Sequence, residues 1–163
     1  MIKAIVYKSH TGFTEKYALM LSEAVGVEAY DIKEASSKLT KGDEIVYMGW
    51  IMASRISGLS KARKKYNIKA ICAVGMSFED KNTIINLKKA NRLESLNVFY
   101  LQGGINKNKL KGVFKIIVNM AAKSLENKEN KNETDILTIS IIRNGEDMTH
   151  PENLKETVKF ILS

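Results

Sequence analysis

Residues 4–25 read AIVYKSHTGFTEKYALMLSEAV. The strand-like apolar run IKAIVY from Ile2 gives way to hydroxyls crowded around one glycine, Ser9 to Thr14, and then to a segment from Phe13 to Val25 with apolar residues at helical spacing. The next strand-like run, VEAYDI from Val27, follows after a single turn residue, Gly26. Strand, polar loop, helix and strand in this order predict a right-handed crossover between parallel strands. The pattern continues with EIVYMGW from Glu44, IKAICAVG from Ile68 and LNVFYLQGG from Leu96, separated by helical spacing over Ile56 to Tyr66 and Asp80 to Ala90. Five strands alternating with helices predict an α/β class, a doubly wound parallel sheet covered on both faces.

Beyond the fifth strand the pattern changes. NKNKLKGVFKIIVNMAAKSL, from Asn106, predicts a long amphipathic helix with Lys111, Lys115 and Lys123 on one stripe and Leu110, Val113, Phe114, Ile116, Ile117, Met120 and Ala121 on a broad apolar face. The polar ENKENKNET then reads as a loop, so a basic helix and loop over about 106–135 are added to a single domain spanning 1–163. ILTISII, from Ile136, reads as a sixth short strand or extended segment. THPENLKETVKFIL predicts a terminal helix with Thr149 and Glu152 in capping-box register and Pro151 in its first turn.

Composition narrows the classes. The 163 residues are 44% hydrophobic, enough for a substantial core. A lone cysteine, Cys72, rules out an internal disulfide and a paired-cysteine zinc or dithiol site, and its place in an apolar strand marks a buried small side chain. No signal-like or membrane-spanning apolar run is present, and a cytoplasmic location is the expectation. The formal charge of +8 favours acidic partners, although lysine is abundant along the whole chain. A cofactor-free basic module engaging nucleic acid is one reading of that charge, but no nucleic-acid motif and no interleaving of aromatics with lysines supports it.

In an open parallel sheet, ligands sit beyond the carboxyl ends of the strands, and KSHTGFT is the first such loop. Gly12 allows a close backbone approach, the free amides and dipole of a helix start favour an anion, and Ser9, Thr11 and Thr14 add neutral hydroxyl donors. Such a cradle suits a phosphomonoester held without metal. Capping of the helix by Thr11 and Thr14 would explain the same residues structurally. The triphosphate loop G-x-x-x-x-G-K-[ST] and the dinucleotide loop G-x-G-x-x-G are both absent.

Ser9, Thr11, Gly12 and Thr14 each match the [ST]-x-[ST]-G-x-T phosphate loop of flavodoxins, and the chain resembles that family throughout. The resemblance implies flavin mononucleotide (FMN), a strand order of 2-1-3-4-5, electron transfer, and a flavin ring gripped by the loops after the third and fourth strands. The residues it assigns to the cofactor are Ser9, His10 through its amide, Thr11, Gly12, Phe13 and Thr14; Trp50, Met52, Ala53, Ser54 and Arg55; and Gly75, Met76, Ser77 and Phe78. No catalytic side chain and no metal is implied.

Two departures qualify the resemblance. Many flavodoxins have a glycine in the loop after the third strand, where a peptide flips toward the one-electron-reduced flavin, whereas this chain has Ala53 and Ser54, for which positive φ is strained. The chain is also basic where flavodoxins are acidic. Its tail is similar to the menaquinone-dependent protoporphyrinogen dehydrogenases, which implies as an alternative a two-electron oxidation with a quinone acceptor. The partners implied are thus a redox protein or a quinone-type molecule, with the Lys111, Lys115 and Lys123 face meeting anionic lipid at the inner side of a membrane.

Overall fold

Alternation along the first strand explains how the sheet is covered. In β1 (Ala4–Lys8), Ala4 and Val6 enter one apolar cluster while Ile5 and Tyr7 enter another, so both faces of the strand are buried. A computed structural model describes residues 1–163. It adds β2 (Ala29–Asp31), β3 (Glu44–Met52), β4 (Arg55–Ile56), β5 (Asn67–Gly75) and β6 (Asn97–Gln102). The parallel strands lie in the order β2-β1-β3-β5-β6, with β4 antiparallel to β3. Counting only the parallel strands, this is the expected 2-1-3-4-5.

Helices fill the two faces unequally. On one side Ala35, Leu59, Ala62, Leu87 and Leu93 pack on the sheet, from α2 (Ala35–Lys38), α3 (Leu59–Lys65), α4 (Thr83–Asn91) and the turn after α4. On the other, α1 (Phe13–Val25) contributes Tyr17, Ala18 and Leu21, joined by Leu154 and Val158 from the chain's end. Cys72 lies wholly buried on that second face, 3.7 Å from Thr157 Oγ1, and burial pushes its thiol up to about 12, so it is neutral at physiological pH.

Three expectations from the sequence are corrected beyond β6. The first long helix, α5, spans Gly112–Glu126 and does not start at Asn106. Residues before it form a turn in which the Asn106 carbonyl accepts from the amides of Lys109 and Leu110, both at 3.1 Å. Residues 136–142 are not a strand: they belong to α6 (Glu133–Asn144), so the addition is a pair of helices. Asn132 and Asp135 close a capping box at its start, and Thr138, Ile141 and Ile142 bury at helical spacing. Packing between α5 and α6 outweighs the strand propensity of the isoleucine-rich run.

The terminal helix begins as a 3-10 turn over Pro151–Leu154 and continues as α7 (Lys155–Leu162). His150, not Thr149, caps it, its Nδ1 accepting from the Glu152 amide at 3.2 Å, while the Thr149 hydroxyl donates to Asp147 at 2.5 Å. Leu154 is 2% exposed and anchors this end to the face below α1. Leu154→Ala is expected to cost about 2–5 kcal/mol, measured as a lowered midpoint in denaturant unfolding.

Candidate functional site

The carboxyl ends of β1, β3 and β5 open on one edge of the sheet, and their loops frame a cleft of about 570 Å3. That volume lies in the range of small-molecule sites, and 16 of its 27 lining residues are hydrophobic, which suits a flat apolar body with few polar points.

The floor is the loop after β1. Gly12 precedes α1 with φ 105°, a conformation in which any Cβ is strained, and its amide donates to Ser9 Oγ at 3.1 Å. No side chain caps the helix. The amides of Thr11, Phe13, Thr14 and Glu15 donate to no acceptor in the protein, so they and the positive end of the α1 dipole are free for an anion. Capping by Thr11 or Thr14, the alternative reading of this stretch, is not what the fold uses.

One wall is a hairpin. Trp50 and Met52 come from the end of β3, and Ala53 and Ser54 form a two-residue turn into β4 with φ 47° and 61°. Primed hairpin turns need positive φ at both central residues and favour Asn-Gly there, so this turn is strained. Asn91 of α4 holds it from behind: its side chain is buried, donates to the Ser54 carbonyl at 2.7 Å and accepts from the Ile56 amide at 3.0 Å. Sequence reasoning gave Asn91 no role, because it lies far along the chain from the turn.

The opposite wall is the loop after β5. The Gln102 amide group donates to the Met76 carbonyl at 2.9 Å and the Tyr100 hydroxyl donates to the Ser77 carbonyl, leaving the amides of Met76, Ser77 and Phe78 without protein acceptors. A Cβ on Gly75 would come within 2.3 Å of the Tyr100 hydroxyl, so the tether depends on glycine at that position. Burial raises the Tyr100 phenol above its usual range and keeps it a neutral donor.

A third wall comes from outside the core fold. Leu110 and, on α5, Phe114, Ile117, Val118 and Ala121 close the cleft. His10, Trp50 and Phe114 form a ring cluster, with centroids 4.2 Å apart for His10–Phe114, 5.4 Å for His10–Trp50 and 5.5 Å for Trp50–Phe114. His10 therefore presents a packed ring and not merely its amide. Trp50 Nε1 is buried with no acceptor, an unsatisfied donor in a wall of the cleft. In the sequence Phe114 is marked only as part of an apolar helix face.

Of the residues singled out from the sequence, His10, Thr11, Phe13, Thr14, Trp50, Met52, Ala53, Ser54, Gly75, Met76, Ser77 and Phe78 all line the cleft. Ser9, Gly12 and Arg55 do not. Ser9 and Gly12 shape the loop through their mutual hydrogen bond, and Arg55 is exposed on β4.

An open parallel α/β sheet with an uncapped helix start after its first strand, beside an apolar cleft built from the following loops, is the class that these features define. The chain belongs to the flavodoxin-domain family, whose model matches residues 4–132. The match takes in α5 and ends at Asn132, the residue that caps α6. Comparison with curated proteins gives no match. No helix is long and apolar enough to cross a membrane.

The hairpin yields a test independent of any ligand. Ser54→Gly is expected to raise stability by about 1 kcal/mol by relieving positive φ. Asn91→Leu is expected to lower it by about 2–4 kcal/mol, since a buried carbonyl and amide lose their partner. Urea denaturation measures both.

Proposed function

We propose that this chain holds FMN non-covalently in the cleft and transfers electrons through it. The observation that carries the reading is the row of free amides at Thr11, Phe13, Thr14 and Glu15, set at the floor of a mostly apolar cleft in a flavodoxin domain. The donors suit the group. The floor offers backbone amides and the Thr11 and Thr14 hydroxyls to a phosphomonoester, while free amides at Met76, Ser77 and Phe78 and the orphan Trp50 Nε1 offer donors to the polar edge of a flat ring. Bound FMN would supply the redox chemistry. Protein side chains then serve to hold the phosphate, exclude water and orient the ring, and none is needed as acid, base or nucleophile.

Protein mixed with FMN is expected to quench flavin fluorescence and perturb its absorption bands. Thr11→Val with Thr14→Val should weaken retention about tenfold or more, because hydrogen bonds to a charged phosphate are lost. Free-flavin fluorescence persisting at micromolar protein would overturn the reading.

A second reading, a quinone-coupled dehydrogenase of the protoporphyrinogen dehydrogenase type, is favoured by α5. Its apolar arc is wider than the fold covers: Val113, Ile116 and Met120 remain 66%, 59% and 65% exposed, and Ile117 both lines the cleft and reaches solvent. Lys111 at the start of α5 and Lys115 and Lys123 on it, all exposed, run along one side of this strip, a pattern suited to an anionic lipid surface from which an apolar acceptor could reach the cleft. Under this reading the protein co-sediments with phosphatidylglycerol vesicles and not with phosphatidylcholine vesicles, and Ile116→Asp with Met120→Asp abolishes binding. Protein remaining in the supernatant with both vesicle types counts against it. Reductive titration separates the two functions, since two resolved one-electron steps favour a carrier and a single two-electron step favours the dehydrogenase.

A further inference from the structure

The floor of the cleft has a charge deficit that its own residues leave unmet. A phosphomonoester carries about −1.5 to −2 charges at neutral pH. Against this the loop after β1 sets neutral amides and hydroxyls and a helix start worth roughly half a positive charge. Neutral donors alone would leave most of the anion's charge unbalanced.

The turn between β6 and α5 brings a cation to that place. Lys109 Nζ lies 3.3 Å from the position that a Cβ on Gly12 would occupy, so its ammonium stands directly over the glycine of the loop. It forms no ion pair and donates no hydrogen bond to the protein; Lys16, on the first turns of α1, is already paired with Asp147 at 2.7 Å. The backbone beneath Lys109 is fixed. Its amide donates to the Asn106 carbonyl at 3.1 Å and to Asn106 Oδ1 at 3.2 Å, and the Ile105 amide ties the start of the turn to the Glu146 carbonyl at 3.0 Å. Only the side chain remains to be ordered by an anion, which limits the entropic cost.

We infer that Lys109 is the cationic anchor for the cofactor's phosphomonoester, supplied to the Gly12 loop by the turn that leads into α5. The assignment rests on the FMN reading above. It replaces a wholly neutral phosphate cradle with one in which a single ammonium makes the main charge-assisted contact. The consequence is preference for the phosphorylated flavin, weakened by salt because an exposed cation does the work.

Fluorescence titrations of the full-length chain and of Lys109→Met with FMN and with riboflavin test this. Riboflavin shares the ring and lacks the phosphate. Lys109 is exposed and its main-chain contacts persist in the variant, which is expected to fold normally and to bind riboflavin as the parent does. FMN affinity should fall about tenfold or more, its salt dependence should flatten, and Lys109→Arg should restore most of the loss. A parent that prefers FMN, together with a Lys109→Met variant that keeps the same preference, overturns the assignment and leaves the FMN reading intact. A parent that binds neither flavin overturns both.

Discussion

Parallel pairing of β1 with β2 on one side and β3 on the other is the constraint on which the molecule depends. Parallel neighbours need crossover connections, and parallel pairing brings the carboxyl ends of β1, β3 and β5 to one edge. Loops far apart in sequence, after Lys8, Met52 and Gly75, consequently frame a common cleft. The pairing also fixes the direction of α1, whose uncapped start must face that edge. Without β1 between β2 and β3, neither the cleft nor its anion-competent floor would exist.

The cleft-facing loops are held from behind by residues that do not themselves carry the chemistry. Asn91 clamps the hairpin of Ala53 and Ser54, Tyr100 and Gln102 tether the loop after Gly75, and Ser9 shapes the turn at Gly12. Each bond uses a carbonyl or a shaping amide and leaves nearby amides free toward the cleft. Such preorganisation lowers the ordering cost of binding. Strain persists at the hairpin because the polar contacts from Asn91 hold the turn in place.

The helix pair after β6 alters what the fold can do. Its inner residues turn an open edge into a walled cleft, Phe114 joins the rings of His10 and Trp50, and Lys109 brings positive charge over Gly12. Its outer residues leave an apolar strip beside lysines. A single addition thus touches the polar floor, the apolar wall and the surface of the site.

Local order was legible in the sequence. The five parallel strands and the helix after Gly12 follow from short-range periodicity, whereas the strand order and the loops after the third and fourth strands follow from the resemblance carried by the loop at Ser9 to Thr14. The segment 136–142 reads as a strand in isolation because its β-branched residues are compatible with either state, although the Asn132–Asp135 cap that starts α6 is written in the sequence. What only the tertiary structure decided is which distant groups meet: Asn91 with Ser54, Phe114 with His10, and Lys109 with Gly12. Periodicity reports how a residue faces its own helix or strand, whereas these meetings depend on how separate elements pack and cross, and nothing in a residue's immediate neighbours along the chain encodes that.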